Sequence, residues 1–363
     1  MTAHGKRADM LVHEQDPFNA ESTAPALAEA DLTALDVFYV RSHGPVPAPE
    51  PAAWRLGVDG LVERELELNL DQLRSRFQEH EIVATLQCAG NRRKGLIAVR
   101  DIPGEAPWGP GATGTAAWRG VRLADVLEAA GIEAEAEYVA FHGADTSQEA
   151  DPPQRFGASI PRHKALAPEV LLAWEMNGDP LPSVHGAPLR VVVPGYIGAR
   201  SVKWVQRITA QAQPSENYFQ AQTYRLLPAH ADPESAPRGA GVALGAVALN
   251  ADILQPEDGA SVAAGAVEVS GYAFAGDDRR IVRVDTSTDG GRNWTQADLL
   301  DDLGPWAWRR WRTRVAVAAG PAEIVARAWD SSAATQPEKP VHLWNPKGYI
   351  NNSWARINLT VRS

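Results

Sequence analysis

Cysteine is nearly absent from this sequence. Among 363 residues there is one, Cys88, so no disulfide can form within the chain. The paired cysteines of structural zinc sites and the Cys-x-x-Cys-His motif of covalent haem attachment are excluded for the same reason. The nine histidines show no zinc-binding spacing and no His-Glu-x-x-His motif. A chain without disulfides is typical of a reducing compartment.

Long apolar runs and an excess of basic residues are also lacking. No stretch approaches the roughly 18 apolar residues of a transmembrane helix, and residues 1–18 contain no signal-peptide core. We therefore expect a cytoplasmic protein that does not bind membranes. The net charge of -10 argues against binding to nucleic acid, because phosphate backbones require a basic face.

The composition suits a globular protein of about two domains. Hydrophobic residues make up 44% and charged residues 22%, which is ordinary for folded proteins, and the length allows roughly two separate cores. The clearest linker lies near residues 228–245, which are rich in Pro, Ala, Gly and charge. We predict an N-terminal arm, a larger domain, a linker and a second domain at residues 1–35, 36–230, 231–245 and 246–363.

Strands and helices are both predicted in the larger domain, which makes it α+β. Its patterns predict strands at 36–40, within 54–70, before Cys88, at 138–141 and at 189–193, and helices at 70–77, 121–130 and 168–174. In the second domain the spacing of strands and turns predicts an all-β immunoglobulin-like sandwich. Seven of the 12 tryptophans lie in this last third, where they would fill a core or an interface.

The chain's one thiol lies where a buried strand opens into a loop. Apolar β-forming residues precede Cys88, and Gly90-Asn91 breaks the strand pattern after it. A thiolate is a soft metal ligand, and nearby cations such as Arg92 and Arg93 favour the ionised form. These features are compatible with a metal site.

Two other interpretations of Cys88 stay open on this pattern alone. A lone cysteine is most often a small buried hydrophobic residue without chemistry. It could also act as a protease-like nucleophile with His43, His142 or His185 as the base, although such triads have no local signature here.

Cationic residues recur where predicted strands of the larger domain end. If their loops converge, they form a pocket for an anion, because guanidinium groups match oxyanion geometry and a charged hydrogen bond contributes roughly 1.5–3 kcal/mol. The residues are Arg41, His43, Arg92, Arg93, His185, Arg190, Arg200 and Lys203.

Several segments form an ordered set of motifs along almost the whole chain. They are residues 38–47, 85–93, 157–161, 176–178, 185–204, 328–330 and 344–346. Together they resemble the sulfite oxidase family, which includes the molybdenum domain of eukaryotic nitrate reductase. In that resemblance, 85–93 is the molybdenum-ligand segment, 38–47 and 185–204 are pterin-contact regions, and the last two segments belong to a dimerisation domain.

The resemblance implies a molybdenum–molybdopterin cofactor with Cys88 as its protein thiolate ligand. It also implies a sulfite-oxidase-type domain of mixed sheets with helices, followed by the sandwich. The positions that would hold the pterin are Tyr39, Val40, Arg41, Ser42, His43, Asp145, His185, Arg190, Ser201, Val202 and Lys203. The positions that match the family's catalytic residues are Cys88, Arg41, Arg93, Trp108, Tyr224 and Lys347.

The implied reaction is oxidation of sulfite to sulfate, with two electrons passed to dioxygen or to an external carrier such as cytochrome c. The implied assembly is a homodimer. Since residues 1–35 are too few for the haem domain of animal relatives, we expect no haem. A reductase of nitrate or a sulfoxide with the same cofactor is the alternative enzyme, and an anion-binding protein without activity is a third hypothesis.

One position departs from the family's pattern. Sulfite oxidases commonly carry an arginine after the Trp-Asn dipeptide near the C-terminus, whereas this chain has Lys347 in Trp344-Asn345-Pro346-Lys347-Gly348. Lysine keeps the charge but lacks the planar fork. We expect weaker substrate binding with the chemistry retained.

Overall fold

The computed structural model describes residues 3–50 and 52–363. Its α-helices are α1 Ala24–Ala28, α2 Leu70–Arg76, α3 Arg93–Ile97, α4 Leu123–Ala130 and α5 Arg162–Ala165. Short 3₁₀ turns occupy Ala3–Gly5, Ser183–His185, Gly198–Arg200 and Pro340–His342, and a π-helical turn occupies Phe219–Thr223. Within the described ranges, no helix has the length and apolar character needed to cross a bilayer.

Strands dominate the chain. Up to the linker they are β1 Leu11–Gln15, β2 Phe18–Glu21, β3 Leu56–Gly60, β4 Leu66–Leu68, β5 Glu79–Gln87, β6 Thr113–Arg122, β7 Tyr138–Ser147, β8 Gln154–Pro161, β9 Leu171–Met176, β10 Asp179–Pro180, β11 Arg190–Val192, β12 Val205–Gln211 and β13 Arg225–Leu226. After it come β14 Val242–Ala243, β15 Asn250–Gln255, β16 Ser261–Ala263, β17 Gly265–Phe274, β18 Ile281–Ser287, β19 Thr295–Gln296, β20 Asp298–Leu299, β21 Arg309–Val317, β22 Gly320–Asp330 and β23 Ala355–Arg362.

The larger domain contains two five-stranded sheets. One has the order β10-β9-β6-β5, with β11 also paired to β9, and all its pairs are antiparallel. The other has the order β4-β3-β12-β7-β8 and is mixed, because β12 runs parallel to β3. Apolar side chains of both sheets and α4 share one buried core. Cys88 follows β5 of the first sheet, and Asp145 lies on β7 of the second.

Local sequence signals explain where two predicted helices begin and end. Asn69 accepts a hydrogen bond from the backbone N–H of Gln72, and the Gln72 side chain accepts one from the Asn69 N–H, which together cap α2. Gly131 ends α4 with φ of 70°, a conformation that favours glycine. The helices predicted at 70–77 and 121–130 are confirmed.

The second domain is a β-sandwich, as predicted. A four-stranded sheet, β15-β17-β21-β20, faces a five-stranded sheet, β16-β23-β22-β18-β19. Alternate residues of both sheets point inward and form a separate apolar core that includes Val269, Val284, Ile324 and Ile357. The α+β fold followed by this sandwich confirms the predicted fold class.

Buried contacts join the two domains. Thr85 donates its backbone N–H to the Trp306 carbonyl at 2.9 Å, and its hydroxyl accepts from the Trp308 N–H at 2.7 Å. Arg92 forms an ion pair with Asp252 at 2.9 Å, with both side chains only 11% exposed. The segment after Cys88 is therefore fixed from the second domain.

Two predicted elements are wrong. Residues 168–174 were expected to be helical, but β9 runs from Leu171 to Met176, because its buried side chains are packed within a sheet rather than along one helical stripe. Residues 36–40 do not form a strand: 35–37 are a turn, in which the N–H groups of Val37 and Phe38 both donate to the Ala34 carbonyl. Within 36–40 only Val40 pairs in β fashion, as an isolated antiparallel bridge to Ala20. The N-terminal arm is also more structured than its composition suggested, with the β1–β2 hairpin and α1.

Candidate active site

A cavity opens beside Cys88. Its walls come from six places. They are the loop after the Ala34 turn, the end of β5, β7, β8, the region from the 3₁₀ turn at 183–185 to β12, and Tyr224 after the π-helical turn. Predicted site residues that line it are Tyr39, Val40, Arg41, Ser42, His43, Cys88, Asp145, His185, Arg190, Ser201, Lys203 and Tyr224. The loops that the sequence places far apart thus converge.

Cys88 is held at the cavity wall by the backbone. It is 7% exposed, its N–H donates to the Ala112 carbonyl at 2.9 Å, and its Sγ accepts from the Gly90 N–H at 3.4 Å. Burial raises the pKa of the thiol, against the opposing influence of Arg93, the Gly90 N–H and Arg41. The free thiol is therefore protonated at neutral pH, and a bound metal ion would displace its proton.

Two cations of the cavity lining, the buried Arg190 and the partly buried Lys203, form no ion pair within the described residues, although Asp145 attracts the Lys203 charge. Arg190 is 4% exposed and donates to the carbonyls of His185 and Ser201, each at 3.0 Å. Lys203 donates to the Ser42 hydroxyl at 2.9 Å and to the Val184 carbonyl at 3.1 Å. Neither forms an ion pair with a carboxylate of the described residues, and burial lowers the pKa of Arg190 to about 10 and that of Lys203 to about 7. Such uncompensated charge is costly unless an anion binds there.

A third buried cation lies behind the cavity. Lys6, from the N-terminal arm, is 1% exposed, and its Nζ lies 2.7 Å from His185 Nε2 and 2.9 Å from the Phe38 carbonyl. An ammonium group is only a donor, so its contact with His185 makes Nε2 the acceptor. That assignment places the imidazole proton on Nδ1.

The donor set fits a molybdopterin cofactor. The cavity offers one thiol to a metal, and it offers Arg41, Arg190 and Lys203 to an anionic phosphate. Asp145 lines the same cavity, and its buried Oδ1 has no hydrogen-bond partner in the described part of the chain. An orphaned carboxylate oxygen can accept from the N–H groups of a pterin ring.

Tyr224 and Arg41 line the same cavity as Cys88 and interact electrostatically with each other. The Tyr224 hydroxyl is 2.7 Å from His43 Nε2, and burial raises the pKa of this phenol. Although burial opposes its charge, neighbouring groups that include Glu149 raise the pKa of Arg41, so its guanidinium stays positive. Arg41 can therefore offer N–H donors to a small oxyanion, with the Tyr224 oxygen in the same cavity lining.

Four predicted site residues do not line the cavity: Arg93, Trp108, Val202 and Lys347. Arg93 is 3% exposed, with hydrogen bonds to the carbonyls of Ala106 and Lys347 and an ion pair to Glu105 at 3.1 Å. Lys347 pairs with the other oxygen of Glu105 at 2.9 Å. Trp108 and Val202 are 1% exposed and lie within hydrophobic clusters.

Two other arginines of the predicted cationic set point elsewhere. Arg92 binds Asp252 and the carbonyls of Ser353 and Trp354, so it joins the two domains rather than acting on the thiol. Arg200 donates to the Leu244 carbonyl at 2.9 Å and 2.7 Å. The expectation that Arg92 favours the thiolate is therefore not met, because its charge is used at the domain contact.

Sequence reasoning missed four residues at or near the cavity: Lys6, Glu105, Glu149 and Gly198. Lys6 lies in a segment interpreted as an arm, and the two glutamates lie in polar loops without periodicity. Gly198 carries a packing constraint, because a Cβ there would lie 2.6 Å from the Tyr39 hydroxyl. In the sequence, only its position within the 185–204 motif indicated a role for that glycine.

Comparisons with known proteins agree with this geometry. The family model described as "Oxidoreductase molybdopterin binding domain" matches residues 43–219, and the "Mo-co oxidoreductase dimerisation domain" matches 243–362. The sulfite oxidase of Gallus gallus is 45% identical over 357 residues, which cover 96% of this chain and 77% of that protein. The sulfite oxidase of Arabidopsis thaliana is 36% identical over 375 residues, 98% of this chain and 94% of that protein.

A solved structure shares the fold across both domains. The crystal structure of the sulfane dehydrogenase of Paracoccus pantotrophus superposes with a TM-score of 0.79 at 27% identity, covering 97% of this chain and 87% of that chain. The whole chain, from the cavity loops to the sandwich, is thus matched in sequence and in structure. It belongs to the sulfite oxidase family of molybdopterin-dependent oxidoreductases.

Proposed function

We propose that this enzyme oxidises sulfite to sulfate. The observation that carries the proposal is the cavity itself, where one buried thiol shares the lining with Arg190 and Lys203, neither of which forms an ion pair within the described residues. The curated relatives named above, each a sulfite oxidase, support the same substrate. When bound, the molybdenum cofactor would supply the oxygen-atom and two-electron chemistry.

Different residues of the cavity would bind different parts of the cofactor. Cys88 would hold the metal, while Arg190 and Lys203 would bind the phosphate of the pterin. Asp145 would accept from the pterin ring, and His185 would contact the cofactor with Lys6 behind it. These side chains bind and orient the cofactor before any substrate enters.

Arg41 and Tyr224 would hold the substrate. Both line the cavity with Cys88. Arg41 offers a permanent positive charge and N–H donors to an oxyanion, and the Tyr224 oxygen, 2.7 Å from His43 Nε2, can accept a hydrogen bond from a reacting water. Contact of Arg93 and Lys347 with sulfite stays a prediction, because both side chains must first leave Glu105.

Electrons would leave the enzyme for an external acceptor, dioxygen or a cytochrome. The single cysteine allows no Cys-x-x-Cys-His motif in this sequence. We also propose a homodimer formed through the second domain, supported by the dimerisation-domain match at 243–362. Sedimentation at micromolar concentration tests it, and a monomer would refute it. The cytoplasmic location stays a prediction, tested by cell fractionation.

The direct test uses protein purified from a host that makes molybdopterin. Sulfite-dependent reduction of ferricyanide or cytochrome c is measured beside nitrate reduction by reduced viologen, with molybdenum content determined on the same sample. We expect sulfite activity that scales with molybdenum content. Molybdenum-loaded protein that reduced nitrate and left sulfite unchanged would establish the alternative enzyme instead.

A further inference from the structure

Three side chains form a hydrogen-bonded line from the cavity to the protein surface. The Tyr224 hydroxyl lies 2.7 Å from His43 Nε2, and His43 Nδ1 lies 2.6 Å from Glu149 Oε1. The exposed fraction rises along the line: Tyr224 is 3% exposed, and the side chains of His43 and Glu149 are 4% and 40% exposed. One end thus reaches the reacting space and the other reaches solvent.

The charges around His43 fix the direction of these hydrogen bonds. Arg41, Lys203, Glu149 and Tyr224 are the charged or titratable groups that face it. Burial, with help from Arg41 and Lys203, lowers the pKa of His43 to about 4. A neutral imidazole has one donor and one acceptor, which is what a position in the middle of a relay requires.

The proton of His43 must lie on Nδ1. Although burial opposes its charge, the hydrogen bond from His43 and the charge of Arg41 lower the pKa of Glu149 to about 2, so the carboxylate is ionised. Arg41 Nη2, which is only a donor, lies 3.0 Å from the same Nδ1. Two acceptors cannot share the shorter 2.6 Å contact with Glu149, so we assign the proton to Nδ1, which donates to the carboxylate. Nε2 then accepts from the Tyr224 O–H. Arg41, 3.4 Å from the same carboxylate oxygen, can donate to Glu149 beside it.

The proposed reaction releases protons inside the cavity. Oxidation of one sulfite ion takes an oxygen atom from water and yields sulfate, two protons and two electrons; the electrons pass to an external one-electron acceptor such as ferricyanide. Many side chains of the cavity lining are buried, so a hydrogen-bonded path to solvent would give these protons a route of their own. We propose that Tyr224, His43 and Glu149 form a relay that carries protons from the cavity to solvent, an inference that rests on the proposed function.

Each passage along the relay moves one proton, and afterwards Tyr224, His43 and Glu149 each have the same charge as before. A proton released by the reacting water binds the Tyr224 oxygen as the phenolic proton passes to His43 Nε2. The proton on Nδ1 passes to the Glu149 carboxylate and from there to water. Rotation of the imidazole then restores the starting arrangement, and the net result is one proton moved from the cavity to solvent.

Glu149→Gln tests the relay, because the amide oxygen can still accept from His43 but is not basic. We expect kcat for sulfite to fall about tenfold or more, with the sulfite KM within about twofold of wild type and a larger solvent deuterium isotope effect. Small weak acids such as formate should restore part of the rate. Glu81→Gln is the matched control: it too removes a carboxylate that pairs with an arginine, Arg119 at 3.0 Å, and is 47% exposed.

A second readout separates proton transfer from positioning. Nitrogen NMR of the ¹⁵N-histidine holoenzyme reports whether His43 keeps its proton on Nδ1. An unchanged His43 signal in the slow Glu149→Gln variant supports the relay, whereas a changed tautomer means that Glu149 only positions the ring and overturns it. If the wild type oxidises sulfite and the Glu149→Gln variant has the same kcat, the relay is contradicted but the proposed function is not. Molybdenum-loaded wild type that fails to oxidise sulfite contradicts the proposed function, and the relay with it.

Discussion

Replacing Lys203 by methionine should stabilise the cofactor-free protein and weaken its hold on the cofactor. Lys203 is partly buried, and its ammonium donates to Ser42 and to the Val184 carbonyl. Asp145 attracts its charge, but no described carboxylate forms an ion pair with it. Burial lowers its pKa from 10.5 to about 7. The charge is therefore destabilising in the empty cavity and useful only when an anion is bound.

The size of the effect follows from this pKa. A fall from 10.5 to about 7 corresponds to about 5 kcal/mol, at about 1.36 kcal/mol per unit. Below pH 7 the lysine is protonated in both the folded and the unfolded chain, so the full destabilisation is present. Between pH 7 and 10.5 the folded state loses the proton first, so the stability of the wild type rises with pH. Methionine also loses two hydrogen bonds of up to about 1.5 kcal/mol each, which leaves a net gain of about 2 kcal/mol at pH 7.

The measurement is urea unfolding of protein made in a host that lacks molybdopterin, at pH 7, 8 and 9. Asp145, whose pKa burial raises to about 6, titrates below this range. We expect Lys203→Met to be more stable than the wild type at pH 7 and to lose that advantage by pH 9. In protein from a molybdopterin-producing host the same variant should contain less molybdenum. Lys339→Met, at a side chain 60% exposed, is the control.

The reasoning is refuted if cofactor-free Lys203→Met is less stable than the wild type at pH 7. It is equally refuted if the stability of both proteins changes with pH by the same amount. Either result means that other groups of the protein already neutralise the positive charge of Lys203. That charge would then not favour the binding of an anion in the cavity.

Three further predictions concern the surroundings of the cavity. Arg92→Met should destabilise the protein by about 3–5 kcal/mol, because it leaves Asp252 buried without its 2.9 Å partner; urea unfolding measures this, and a loss below about 1 kcal/mol would contradict it. Lys347→Arg should lower the sulfite KM and leave kcat within about twofold, whereas an unchanged or raised KM would show that pairing with Glu105 already fixes the charge. Lys6→Met should reduce the molybdenum content, because without the Lys6 ammonium the imidazole proton of His185 is no longer fixed on Nδ1. A normal molybdenum content would refute that role.

The sequence predicted the parts of the fold that have strong local signals. The capping residues around α2 and the glycine after α4 mark their helices directly. The helix expected at 168–174 failed because Leu171 and Leu172 are buried by a sheet, and a short apolar run does not distinguish a buried strand from a helix. Tertiary packing decided that segment.

The candidate site was predictable where its residues fall within motifs. Cys88, Arg190 and Lys203 were found in this way, and the structure places all three around one cavity. Lys6 and Glu149 were not found, because their roles depend on contacts with residues 179 and 106 positions away along the chain. Their own neighbours in sequence carry no signal of that chemistry.

The central claim is that Cys88 holds molybdenum in a cavity built for its anionic cofactor. The most direct measurement is the molybdenum content of wild type beside Cys88→Ser, with sulfite oxidation assayed on both. We predict molybdenum in the wild type and a loss of activity of at least about 100-fold in Cys88→Ser, because a hydroxyl is a far poorer ligand than a thiolate. A Cys88→Ser protein with wild-type sulfite activity, or a wild type without molybdenum from a molybdopterin-producing host, would contradict it.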